Sequence, residues 1–197
     1  MSDRASALPP REDALALLHE WVVGEPLRRH CRAVEAAMRD QARRRGGDEE
    51  LWGLTGLLHD LDYERYPDLE TGHPRYGMAE LERAGYPAEL VRAVASHADY
   101  LGVSRDSEME RALAAVDELS GFVLACAYVR PEGFSGMGPK SVRKKLKQPS
   151  FAAAVNREDV SRGAEELDVE LDELIAQVIE ALAPLAPELG VGFDRAG

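Results

Sequence analysis

The sequence's capacity for chemistry lies in five histidines and a few aspartates. His30, His59, His73 and His97 each stand where a helical pattern expects core or its edge, and so do Asp60, next to His59, and Asp117. Neutral imidazoles and ionised carboxylates are ligands for a divalent ion such as Fe, Mn, Zn or Mg, and burying them without a partner is expensive. Taken singly, a histidine on an apolar stripe is more often a hydrogen-bonded core residue than a ligand, and a lone aspartate often only caps or pairs. Taken together, one metal cluster accounts for segments that would otherwise each need an unrelated explanation. His19 lies outside this set and reads as a surface histidine.

These residues need helices to position them. Pro26 suits a first helical turn, and Leu27, His30, Cys31, Val34 and Met38 follow at steps of three and four, forming one inward stripe that ends near Gly46-Gly47. A second helix is predicted from Asp48, its N-cap, to Leu61, with Leu51, Leu54, Leu58 and Leu61 buried; its Gly53 and Gly56 imply a closely approaching neighbour. Pro74 starts a helix after His73, and Pro87 opens another whose stripe Leu90, Val91, Val94 leads to His97. A longer helix from about Asp106, closing before Pro131, carries Met109, Leu113, Val116, Asp117, Ser120, Val123 and Leu124 on one face. Beyond the Gly-rich turn EGFSGMGPK come a basic island, a short segment near Phe151 to Val155, and a strongly striped helix after Asp168. Alternating strand patterns are nearly missing. The expected organisation is a polar tail over 1–10, a helical metal-binding core over 11–130 and a C-terminal helical extension over 131–197 packed on it.

Composition narrows the function classes. With a hydrophobic content of 45% the chain reads as globular rather than disordered. The net charge of −12 repels polyanions and argues against duplex nucleic acid as a partner. No apolar run approaches the roughly 20 residues of a bilayer span, and the charged start MSDRASALPPRED does not resemble a signal peptide, so no membrane association and a cytoplasmic location are expected. Cys31 and Cys126 sit among apolar neighbours and read as buried free thiols. Against the acidic background, Lys140, Arg143, Lys144, Lys145 and Lys147 form a positive island. Lys140, Arg143 and Lys144 are candidates to hold a substrate phosphate; the alternative is a solvated helix face or a partner for the protein's own acidic surface.

The order His30, His59-Asp60, Asp117, in the contexts LRRHCRAVEAAM, LTGLLHDLD and ALAAVDELSG, resembles the signature of the HD superfamily of metal-dependent phosphohydrolases. His73 in HPRYGMAEL and His97 in VASHADY are similar to the further histidines of its two-metal branches. The resemblance covers roughly residues 25 to 130 and implies an all-α helical bundle. It also implies that Asp60 bridges two divalent ions (Fe, Mn or Mg, with Zn possible), that His30, His59 and Asp117 hold one, and that His73 and His97 hold the other. Where many members continue with Ile-Gly-Lys, this chain has Leu61-Asp62-Tyr63, so the usual lysine is missing and Asp62 or Arg65 is a candidate for its work. The second glycine-rich signature of the cyclic dinucleotide phosphodiesterases is missing too. A small group of HD proteins with HDLDYERYP and a later SVRKKLK segment resembles the chain along nearly its whole length, without implying a substrate.

The resulting expectation is hydrolysis of a phosphate ester or anhydride of a small metabolite or nucleotide by a metal-activated water, with Asp60 and Asp62 as catalytic residues, in a monomer or homodimer. Two alternatives remain open: a binding module that keeps the site without turnover, and a di-iron oxygenase. Asp62, Tyr63, Arg65, Asp99 and Glu118 adjoin the expected ligands and are candidates for orienting or acid–base roles, Asp62 foremost because it sits two positions beyond the ligand pair.

Overall fold

A computed structural model describes residues 8–192. Residues 1–7 of the expected tail and 193–197 of the expected extension lie outside the described residues. Among those described there are nine α-helices, two short 3-10 turns and no strand.

Two 21-residue helices form the frame: α2, Glu25–Arg45, and α6, Glu108–Tyr128. The first has Pro at its start, as expected. The second opens on a capping box in which the Ser107 hydroxyl accepts from the Glu110 amide and Glu110 accepts from the Ser107 amide. Against α2 lies α3, Glu49–Leu58, capped by Asp48, whose Oδ1 accepts from the amides of Glu50 and Leu51 at 3.0 and 3.1 Å. The contact requires Gly56: a Cβ there would stand 2.8 Å from the carbonyl oxygen of Val34, closer than side chains tolerate. This helix is shorter than its apolar line suggested. It ends at Leu58, and the chain continues in tight turns closed by Leu61 N–H to Leu58 O and Tyr63 N–H to Asp60 O.

α1, Arg11–Trp21, packs on α3 through the buried Leu18 and Ala14, while α4, Arg75–Arg83, and α5, Ala88–His97, complete the layer around His73 and His97. The His73-Pro74 peptide is cis. Cys31 and Cys126 are both buried and unpaired, and His19 is exposed.

The C-terminal part supplies α7, Pro139–Leu146, α8, Arg157–Glu166, and α9, Leu171–Leu182. The stripe of α9 buries Leu174, Ile175, Val178, Ile179 and Leu182 against α2 and α6. α8 is mostly polar but lies tight on α6: a Cβ on Gly163 would come within 2.6 Å of Ala115 Cα. The buried apolar residues form one cluster running from Ala14 to Val191, so these helices share the core of the first six. No helix among the described residues is long and apolar enough to cross a membrane.

Candidate metal centre

Five separate segments bring six side chains to one point. α2 presents His30, the turn after α3 presents His59 and Asp60, the residue before cis-Pro74 is His73, the last residue of α5 is His97, and α6 presents Asp117. The Nε2 atoms of His30 and His59 are 3.3 Å apart, and Asp117 Oδ1 lies 3.0 and 3.3 Å from them. On the other side, the Nε2 atoms of His73 and His97 are 3.2 Å apart.

Asp60 stands between the two groups with one oxygen toward each. Its Oδ2 is 3.7 and 3.5 Å from His30 and His59, and its Oδ1 is 3.5 and 3.6 Å from His73 and His97.

The outer ring nitrogens explain why these contacts need a cation. His59 Nδ1 lies 2.8 Å from the Gly56 carbonyl, His97 Nδ1 2.5 Å from the Val94 carbonyl, and His73 Nδ1 2.7 Å from Asp62 Oδ1. Those partners accept, so each Nδ1 carries a proton, and a ring with no second proton turns a bare Nε2 lone pair inward. Lone pairs facing one another and two carboxylates repel unless something positive lies among them. Two ligand atoms held about 2.1 Å from one ion would themselves be roughly 3.0–3.4 Å apart; the imidazole nitrogens and Asp117 Oδ1 stand at 3.0–3.3 Å, and the Asp60 oxygens slightly farther, at 3.5–3.7 Å. The donor set therefore fits divalent metal, with two groups of three residues, sharing Asp60, whose ligand atoms lie within 4.8 Å of one another.

The same electrostatics appear in the protonation equilibria of the metal-free protein. Burial alone would push His59 down, but the carboxylates of Asp60 and Asp117 outweigh it and raise the ring from 6.5 to about 10. Burial would likewise raise Asp60 and Asp117, yet the neighbouring histidines, His59 foremost, hold both carboxyls well below their ordinary range. The site draws positive charge, as protons or as metal.

The centre opens on a cleft of about 760 Å³, within the size range of small-molecule sites. One flank carries Tyr63, Leu69 and Tyr100, all substantially exposed. Tyr63 meets the His73 ring edge-on at 5.2 Å, and the Tyr100 hydroxyl donates to the His73 carbonyl at 2.9 Å. Burial, with the charges of Asp60 and Asp62 adding to it, pushes that phenol up to about 12, so it stays protonated. The lining also includes α8 and the residue before it, with Asn156, Glu158, Asp159 and Arg162. Glu118, raised to about 7 by burial and by Asp117, also lines the cleft and accepts from the Asn156 amide at 3.3 Å.

The expected site is corrected in two respects. Asp62 does not reach the cleft: it is fully buried, with one oxygen on His73 Nδ1 and the other 2.7 Å from the Gly77 amide, so it orients a ligand instead of touching substrate. Lys140, Arg143 and Lys144 do not line the cleft either; their helix, α7, packs on α9, and Arg143 faces Asp172 at 3.5 Å. Arg65 turns away onto the Trp21 ring. The arginines that do line the cleft, Arg105 and Arg162, were not anticipated, nor was α8. The one signal for this helix was Asn156 followed by two acidic residues, a helix-start pattern.

No curated protein and no solved structure matches the chain. The HD domain family matches residues 27–121, a span that encloses all six converging side chains. With an all-α fold and those six residues in one centre, the chain belongs to the HD superfamily, whose character is that of metal-dependent hydrolases.

Proposed function

We propose that the protein hydrolyses phosphate esters or anhydrides of small metabolites, nucleotides among them, at a pair of divalent ions. His30, His59, Asp60 and Asp117 would hold one ion, and Asp60, His73 and His97 the other. The observation that carries this reading is the Asp60 carboxylate, with its two oxygens turned to two separate pairs of imidazole Nε2 atoms. Such a pair of ions lowers the pKa of water and neutralises charge on a phosphoryl group during in-line displacement.

The chain's own contribution is positioning. The carbonyls of Gly56 and Val94 and the carboxylate of Asp62 fix the ring orientations of His59, His97 and His73, so the ligands meet an ion without reorganising. Burial of His59 and His73 keeps solvent from competing behind the site, while His30, Asp60 and Asp117 keep partial exposure toward the cleft. Glu118 is the titratable group on the cleft side best placed to take or return a proton beside the leaving oxygen.

The test is metal analysis of protein purified without chelator, followed by a panel of phosphate esters and nucleotides with added Mn, Fe or Mg. Close to two ions per chain, with turnover that chelator abolishes and metal restores, is the expected result. Bound metal with no turnover of any member would make the chain a binding module, and dioxygen consumption by the iron form would make it an oxygenase.

A further inference from the structure

Resting on that reading, we propose that the cleft selects phosphate monoesters whose alcohol part is uncharged or cationic and rich in hydrogen-bond donors, and rejects substrates with a second anionic group. Diphosphates, triphosphates and carboxylated esters fall in the rejected class.

The argument begins with where a second anion could bind. Among the described residues no lysine lines the cleft, and the two arginines that do are both ion-paired. Arg105 donates from Nε to the Ser96 carbonyl at 3.1 Å, from Nη1 to Glu166 at 2.8 Å, and from Nη2 to Asp99. Arg162 is held by Asp99 and by Asp159 at 2.7 Å, with Glu166 at 3.5 Å from its Nε. Three carboxylates thus face two guanidiniums, and the network as a whole is negative. Arg162 Nη1 alone makes no bond among the described residues, and a phosphate reaching it would sit against Asp99, Asp159 and Glu166, which hold the rest of that guanidinium.

Two more carboxylates line the cleft with no ion pair among the described residues, Glu118 and Glu158. Both are acceptors. They suit hydroxyl or ammonium groups, and they repel anions at close range. The exposed faces of Tyr63 and Leu69 across the cleft accommodate apolar surface of the same alcohol part. Capacity for an anion is thereby confined to the metal pair, and one phosphoryl group fills it.

Two uncleavable ligands isolate the charge: 2-hydroxyethylphosphonate and phosphonoacetate, which share the phosphonate and differ by a hydroxyl against a carboxylate. Calorimetric titration of the metal-loaded protein should show the hydroxyl compound binding about tenfold more tightly. Glu158 is exposed near the start of α8, so Glu158→Lys disturbs no core contact. In that variant the preference should fall to less than about threefold, and in Glu158→Gln to an intermediate value. Turnover should follow the same order, with glycerol 3-phosphate ahead of 3-phosphoglycerate and a nucleoside monophosphate ahead of its triphosphate.

Equal or tighter binding of phosphonoacetate by the native protein would overturn this inference while leaving the metal-dependent hydrolase intact. So would a preference indifferent to both Glu158 variants. If neither phosphonate binds protein shown to hold metal, the functional reading itself fails, and this inference with it.

Discussion

Two polar clusters are built into this helical core, both partly on α2, and they solve the problem of buried charge in opposite ways. Around Glu35, 3% exposed, charges alternate: Arg11 donates to its two oxygens at 2.5 and 2.8 Å, Arg39 donates at 3.1 Å, and Arg39 also holds Glu50 at 2.7 and 3.0 Å. Every acceptor there faces a donor supplied by the chain. Around Asp60 the Nδ1 protons are turned outward to Gly56, Val94 and Asp62, so the inward ring nitrogens and carboxylates need added positive charge, as protons or as metal. The first cluster closes on itself and ties α1, α2 and α3 together. The second is incomplete without a cation, and that incompleteness, rather than burial or charge alone, marks it as a site.

The largest break in this comparison comes from Asp60→Asn. Removing the bridging charge should lower kcat/KM by at least roughly a thousandfold, since several kcal/mol of charge stabilisation are lost at about 1.4 kcal/mol per factor of ten. Metal content should fall below one ion per chain by mass spectrometric analysis. Above about pH 10, where His59 has lost its added proton, the metal-free variant should be no less stable than the metal-free parent in urea, because a carboxylate among lone pairs then contributes to binding more than to folding. A clear loss of stability would place Asp60 with Glu35 as a structural charge.

Glu35→Gln is the converse. It leaves Arg11 and Arg39 without their shared partner and should destabilise the fold by about 2–4 kcal/mol, somewhat below the usual figure for a broken buried pair because Arg11 is substantially exposed. Metal content and turnover of the folded fraction should not change. If this variant instead lost metal, the two clusters would be coupled along α2.

Asp62→Asn separates ligand from orienter. The substituted amide would still accept from His73 through its carbonyl oxygen, but the charge behind the ring is gone, so affinity for metal should fall by about 10–100-fold while the fold persists. Dialysis against graded chelator reads this directly; an unchanged affinity would reduce Asp62 to a core hydrogen-bonding group. Its position shows what the sequence could and could not disclose. His30, His97 and Asp117 were legible because the helical period alone turns them inward, and His73 because it precedes a helix start. Its place two positions beyond the ligand pair left Asp62 open between an orienting and an acid–base role, because the apolar line runs on to Leu61 whereas the chain leaves the helix at Leu58. The tight turns that follow send Asp60 into the cleft and Asp62 into the core behind it. α8 left little trace because it buries only Val160, Gly163 and Ala164, too few for a stripe; partners some 60 residues away, Asp99 and Arg105, help hold it over the cleft.

A subtler difference between the clusters should appear with pH. In metal-stripped protein the His59 pKa is raised from 6.5 to about 10 by Asp60 and Asp117 against the opposing effect of burial. A group raised on folding stabilises fully below its unfolded value and loses that contribution as pH climbs through the folded one. Urea midpoints of metal-free protein should therefore fall between about pH 6.5 and 10, and those of metal-loaded protein should fall less. Asp60 and Asp117 act in the other direction: held low by the histidines, they stabilise above the ordinary carboxyl range and lose this only in strong acid. Parallel curves with and without metal would show that the centre's charges do not respond to a cation.

The smallest expected effect belongs to the basic helix. Lys140, Arg143 and Lys144 are exposed on α7, which packs on α9 through the buried Val142, and their charges point to solvent or, for Arg143, to Asp172. Exposed pairs of this kind contribute about 0–1 kcal/mol. The triple replacement by Ala should leave KM for phosphate esters within about twofold and stability within about 1 kcal/mol, because the cleft draws no cation from this helix. A several-fold rise in KM would mean that substrate extends beyond the cleft to α7, and the cleft's lack of unpaired cations would no longer describe what the enzyme offers an anion. Measured beside the Glu158 variants, the triple variant tests whether the positive island in the sequence or the negative wall in the structure decides which phosphate compounds are taken.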